Sequence, residues 1–395
     1  MTKINHCNVA IFIILLSLII SSCGQIQQLG PTPTTATVLT STPTITPSAS
    51  LTPTQIPKVE YVRGITLGTW YESNIFRDHL AEELTKMKNV GANTLSIAVA
   101  WFTPNVYSNE IRRMPSTWSD GQAGVTISDD DLRSFVREAR KLGLNTDIII
   151  QLRCDNYSCW TGAIQPSNFQ VWDQSYIDYA LYIAHIAEEE GVNRLILTDE
   201  LESTQLREDF MLRLIKEVRT IFHGEVMINT TVENGGFGGY KNIPISVLQA
   251  LDRLGLNTFI PATSKWDATA DEMVNSLVPK LDQIADYYES IGYTNLSIGS
   301  VGAPWVDGGA TSPGNPPNNT AIDYAEQALY LQAFLTALPK SKLDTYTNGA
   351  VIWDWTIDYP TIINGEGTRN NSHNIGGNLL AQQVLSDFWV KEITK

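Results

Sequence analysis

From Gly64 onward the chain alternates, without losing its rhythm, between short apolar runs and longer stretches of helical periodicity. GITLGTW precedes HLAEELTKMKNVG, NTLSIAVAWF precedes DDDLRSFVREARKLG, NTDIIIQL precedes QSYIDYALYIAHIAEEEG, and RLILTDE precedes FMLRLIKEVRTIF. The pattern continues through EVMINTT, LDRLGLNTFIPA, NLSIGSVG and GAVIWDW to a closing helix near NLLAQQVLSDFW. The apolar runs centre on Ile65, Leu95, Ile148, Leu195, Val226, Leu256, Leu296 and Val351, which makes eight strands. Buried strands that alternate strictly with helices argue a parallel sheet. Eight such units in roughly 330 residues predict an α/β fold, a (β/α)8 TIM barrel.

The residues before this pattern cannot join it. A lysine near the start, an apolar stretch from Val9 to Ile20 and then Ser21-Ser22-Cys23 form a segment too short to span a bilayer comfortably but suited to a secretory signal. Ile20 to Cys23 resembles a bacterial lipobox, which implies cleavage before Cys23 and lipid on its thiol; an ordinary signal peptide is the alternative. Residues 24–60, crowded with Thr, Pro and Ser, bury no core and read as an extended disordered linker. The expected organisation is therefore a signal peptide over 1–23, a linker over 24–60 and a barrel over 61–395. Such a protein would be extracytoplasmic, lipid-anchored to the bacterial cell membrane at Cys23. Cys154 and Cys159, both beyond the signal, would form a local disulfide in that oxidising compartment, with a zinc site as the rival reading.

The formal net charge of -15 repels phosphate backbones, so nucleic acid is excluded as a partner. The Gly-rich ENGGFGGYKN lacks the spacing and the Lys-Ser/Thr of a phosphate loop, and no pattern calls for a metal or other cofactor.

In a barrel of this kind the functional mouth lies at the C-terminal ends of the strands. There stand Trp70 after the first strand, Trp101 after the second, Arg153 and Asp155 after the third, and Asp199, Glu200 and Glu202 after the fourth. Asn229 and Glu233 follow the fifth, Ser300, Trp305 and Asp307 the seventh, and Trp353, Asp354 and Trp355 the eighth. Carboxylates beside flat aromatic faces suit a sugar cleft: a carboxylic acid protonates a glycosidic oxygen, and a second carboxylate attacks carbon or activates water. Alternation along the eighth strand would place Trp353 and Trp355 on one face and Asp354 on the other.

RGITLGTW, GANTLSIAVAWF, LILTDELES, LDRLGLNTF, GAVIWDW and the ending NIGGNLLAQQVLSDFW resemble the clan A β/α-barrel glycoside hydrolases, most closely glycoside hydrolase family 113, whose characterised members are β-mannanases. The resemblance implies a carbohydrate substrate, a β-linked, mannan-like polysaccharide or oligosaccharide, with Glu200 as general acid/base. Asp199 stands where many clan members carry asparagine, so it is expected to contact sugar or to support Glu200, and Glu202 to support it from behind. The family's seventh-strand nucleophile is a glutamate, whereas this chain has Ser300 in LSIGSVG. Asp354, Asp307 or Glu233 would then supply the second carboxylate; alternatively, the barrel binds carbohydrate at the cell surface without cleaving it. Trp70, Trp101, Trp305, Trp353 and Trp355 are the expected sugar platforms.

Overall fold

The computed structural model describes residues 61–69, 73–114, 125–155, 158–232, 239–315, 317, 320–356 and 373–393, without the side chains of 73–78 and 391–393. The expectations for the signal segment, the lipidated Cys23, the linker, Trp70 and Glu233 lie outside these residues.

Eight parallel strands close into a barrel in chain order: β1 (Val62–Gly68), β2 (Thr94–Thr103), β3 (Asn145–Cys154), β4 (Arg194–Asp199), β5 (Glu225–Thr231), β6 (Arg253–Asn257), β7 (Leu296–Val301) and β8 (Thr347–Trp355). Every apolar run read from the sequence falls on one of them. Around the barrel lie α1 (Ser73–Asn89), α2 (Asp129–Lys141), α3 (Phe169–Glu189), α4 (Glu202–Gln205), α5 (Glu208–Val218), α6 (Ile245–Ala250), α7 (Ala270–Ser290), α8 (Tyr324–Ala337) and α9 (Leu379–Ile393). Helix starts follow local chemistry. The Ser128 hydroxyl accepts from the Asp131 N–H at the head of α2, and Thr269 and Glu272 form a reciprocal capping box on α7. No described helix is long and apolar enough to cross a membrane.

The strands carry two apolar layers. Outward residues such as Ile97, Ile150, Leu197 and Ile228 pack against Trp172, Tyr176 and Tyr179 of α3 and their counterparts on other helices. Burying each such side chain stabilises the fold by about 1.5–3 kcal/mol. Inward residues form a smaller cluster of Ala98, Ala100, Ile149, Ile196 and Met227, on which Trp353 rests. At the N-terminal end of the strands the Asp147 carboxylate holds the buried Arg194 guanidinium and accepts from the Ser96 hydroxyl at 3.0 Å, so the floor is sealed by a satisfied ion pair.

At the opposite end, three strands depart from simple alternation. Between Ile196 and Asp199, β4 advances three residues while β5 advances two, from Met227 to Asn229. Between Ile298 and Ser300, β7 advances two residues against one on β6. Between Ile352 and Trp355, β8 advances three against two on β1. Each is a β-bulge, which adds a residue and reverses the facing of the strand residues beyond it.

Candidate active site

The mouth of the barrel holds a cavity of about 980 Å³, lined from β3 by Gln151 and Arg153, from the end of β4 by Asp199, Glu200 and Glu202, and from β6, β7 and β8 by Asn257, Ser300 and Trp353. The bulges explain that roster. Ile196 faces inward and Leu197 outward, so plain alternation would turn Asp199 out toward the helices; the extra residue in β4 brings it in. The same displacement in β7 turns Ser300 inward, beside its register partner Asn257.

Glu200 adopts φ 57°, the left-handed region that a glutamate enters only at a cost of order 1–3 kcal/mol. Its N–H donates to the Asn229 carbonyl at 3.1 Å, and its Oε1 accepts from the Asn257 amide at 2.9 Å. That amide also donates to Asp199 Oδ1 at 3.0 Å, while Gln151 Nε2 donates to Asp199 Oδ2 at 2.7 Å. Asp199 is thus held from two sides, as a support and a neighbouring charge for Glu200. Burial first, and then the Asp199 charge, lift the Glu200 carboxyl to about 7, against the pull of the Asn257 amide and of Arg153. The group therefore keeps its proton to a higher pH than a solvated glutamate does.

Asn229 reaches the centre of the barrel because its neighbours lack side chains. A Cβ on Gly255 would stand 2.0 Å from Asn229 Oδ1, and one on Gly299 2.5 Å. Both positions require glycine, and Gly299 lies within the β7 bulge.

Glu202 lines the cavity itself, 2% exposed, rather than standing only behind Glu200. Its Oε1 accepts from the Thr231 hydroxyl, its Oε2 has no partner, and burial lifts it to about 7. His373 stacks edge-on against Phe259 and faces the Pro313 carbonyl through Nε2 at 2.8 Å, which places the ring proton on that nitrogen. Burial holds its pKa down at about 4, so it is neutral.

Several expected site residues lie elsewhere. Trp355 is fully buried, donating from Nε1 to Glu83 Oε2 at 2.8 Å in the layer outside the barrel; the β8 bulge sets it opposite the outward Leu67, so Trp353 alone of the pair faces the cavity. Trp101 alternates with the inward Ala100 and Phe102 and stacks outward on Tyr179, with ring centroids 4.3 Å apart. Trp305 packs edge-on against Tyr324 at 5.2 Å. Asp307 belongs to a loop cluster with Asp323 and Glu326, where Asp323 caps α8 and Glu326 accepts from the Gly308 and Ala310 N–H groups. Asp354, beside Trp353 across a cis peptide, is buried and lifted to about 7 by desolvation against the pull of Arg153. Neither Asp307 nor Asp354 lines the cavity. Among the described residues, the carboxylates that do line it all come from the end of β4.

Cys154 and Cys159 are joined by a disulfide, with Cα atoms 5.6 Å apart. It anchors the loop that carries Trp160, an indole 42% exposed at the rim of the cavity and seated over Gly162, where a Cβ would meet the ring at 2.2 Å. Sequence reasoning did not single out Trp160, Asn257, Gln151 or His373. Asn257 was within reach, as the first polar residue after the apolar run of β6; His373 follows β8 at a distance that no strand-end rule covers.

A profile of Glycoside Hydrolase Family 113 matches residues 65–377. A solved structure described as a complex of a GH113 β-1,4-mannanase superposes with a TM-score of 0.68 at 22% identity, covering 84% of this chain and 99% of that one. The GH113 β-mannanase AaManA from Alicyclobacillus acidocaldarius gives 0.69 at 19% identity, with 85% and 98% covered. The hyperthermostable endo-1,4-β-D-mannanase from Thermotoga petrophila gives 0.56 at 12%, with 83% and 99% covered. At these identities the structural likeness is one of fold. No curated protein matches the chain.

Proposed function

The chain belongs to glycoside hydrolase family 113, and on that premise we propose that it cleaves a β-linked, mannan-like polysaccharide or oligosaccharide, with Glu200 giving its proton to the glycosidic oxygen. The observation that carries this is Glu200 itself, held in the cavity by Asn257 and lifted by burial to about 7. A general acid works best when its pKa lies near the operating pH, and burial beside a second carboxylate is the usual way to bring a glutamate there. Trp353 supplies an apolar face inside the cavity and Trp160 one at its rim, as a sugar chain threading the mouth requires. The substrate class is that of the two family 113 mannanases whose fold the barrel shares.

The sequence pattern of residues 1–60 supports a location outside the membrane, with lipid on Cys23 and the Thr/Pro-rich segment as a spacer. A second reading, a barrel that binds the same glycan without cleaving it, is favoured by Ser300, which stands in the cavity where the family resemblance leads one to expect a glutamate.

Incubation with β-mannan, β-glucan and xylan panels in phosphate buffer, beside Glu200→Gln, separates the two. Product that vanishes in the variant supports cleavage. Binding that survives the substitution, with no product on any glycan, supports the silent barrel.

A further inference from the structure

We propose that inorganic phosphate occupies the cavity opposite Glu200, and that this anion attacks the anomeric carbon of the β-linked sugar. The inference rests on the reading of Glu200 as proton donor and adds the second reactant.

Displacement at an anomeric carbon needs an attacking group on the face away from the acid. Among the described residues, Asp199, Glu200 and Glu202 all stand on one side of the cavity, at the end of β4. Across from them β7 presents Ser300, 3% exposed, a residue of the cavity lining whose buried hydroxyl has no hydrogen-bond partner. A serine hydroxyl attacks only when a base takes its proton, and among the described residues no base is hydrogen-bonded to Ser300. Water in this place also needs a base, whereas a phosphate oxygen is a nucleophile as it stands. The cavity lining also carries two cations of the kind that hold phosphate: Arg153, whose guanidinium donates to Gln151 Oε1, and Lys280, whose Nζ donates to the Pro261 carbonyl. Burial of Glu200 and Glu202, each lifted to about 7, removes much of the opposing negative charge near neutrality.

The step balances without an external oxidant or reductant. The bond between C1 and the glycosidic oxygen breaks with its electron pair on oxygen, which takes the Glu200 proton and leaves as a sugar hydroxyl. A phosphate oxygen forms the new bond to C1 from the opposite face, so a β-glycoside gives an α-glycosyl phosphate. The acidic proton left on the new ester returns to Glu200, which is then ready for another cycle.

The test uses the full chain with β-1,4-mannooligosaccharides in buffer with and without inorganic phosphate, followed by phosphorus NMR. An α-glycosyl phosphate is expected only when phosphate is present, and not with Glu200→Gln. Ser300→Ala is expected to raise the KM for phosphate roughly tenfold, the loss of one charge-assisted hydrogen bond, with a smaller change in the KM for sugar. In reverse, an α-mannosyl phosphate and an acceptor oligosaccharide should release phosphate. Phosphate-independent hydrolysis that Glu200→Gln abolishes would overturn the phosphate step and leave the acid role of Glu200 standing. Absence of any cleavage, with oligosaccharide binding intact, overturns both. Phosphate-dependent cleavage indifferent to Ser300→Ala overturns the assigned seat.

Discussion

One amide nitrogen, on Asn257, lies 2.9 Å from Glu200 Oε1 and 3.0 Å from Asp199 Oδ1, tying together two carboxyls that would otherwise repel. The bond to Glu200 favours its charged form and so opposes the burial that raises it. Asn257→Ala is therefore expected to raise the Glu200 pKa. A general acid is active while protonated, so activity present below about 7 is lost as pH rises through it. In the variant that alkaline limb should move up by about one pH unit, the worth of one hydrogen bond to a charged group. Carbon NMR of the glutamate carboxyls reads the same shift without substrate. A titration left where it was would show that Asn257 does not set it.

The left-handed backbone at Glu200 makes a different prediction. Asparagine tolerates that region and would place no long carboxylate in a buried site. Glu200→Asn should match or exceed the thermal stability of the parent, by about 1 kcal/mol, while losing activity on the order of 10²–10⁴-fold. Calorimetry beside a turnover assay checks both halves. A marked loss of stability would mean that the native carboxyl holds the mouth together.

Stability should also respond to pH through the buried acids. Glu202 moves from 4.5 when solvated to about 7 when folded, so between those values the folded chain keeps a proton that the unfolded chain releases. Its contribution is thus fully present below 4.5 and is lost as pH rises through about 7. Glu202→Gln, which keeps an acceptor for Thr231, should melt a few degrees above the parent near pH 8 and lose that advantage near pH 5. Melting curves across that range decide it; a constant offset would remove Glu202 as the cause.

Ser300→Glu would return a carboxylate to the side of the cavity facing Glu200. Two such groups on opposite sides of the bond are the complement of a glycosidase. The variant is expected to hydrolyse β-mannan without phosphate, with retention of configuration if the two carboxyl groups stand about 5–5.5 Å apart. Polarimetry or proton NMR of the first product gives the configuration. Silence from a folded variant would place the attack elsewhere.

Trp160 should matter only to chains long enough to reach the rim. Trp160→Ala is expected to weaken binding of long oligosaccharides roughly fivefold, about 1 kcal/mol of lost aromatic contact, and leave that of short ones unchanged. Reduction of the Cys154–Cys159 bond, which anchors the same loop, should act in the same direction. Titration calorimetry with a length series distinguishes this from a general loss of fold, which would affect every length alike.

The barrel was legible because its information is repeated: each strand is announced by an apolar run, and a boundary error in one does not disturb the count. The fourth-strand acids were legible for the same reason, since Glu200 follows LILTD directly. What failed was the facing of residues past the bulges and in the loops. A period of two is a sound guide only while the ladder is regular, and the sequence of β8 gives no sign that Trp353 and Trp355 part company. Trp101 was a different kind of miss, since the small inward residues Ala98 and Ala100 already placed it on the outer face.

The extra residue in β8 also defines how this site tolerates change. Register there is a switch with two positions: deleting one residue between Ile352 and Trp355 would exchange which residues meet solvent and which meet the helices, without altering a single chemical group. A mouth built this way is vulnerable to changes of length rather than of character. A lost codon there costs more than a changed one.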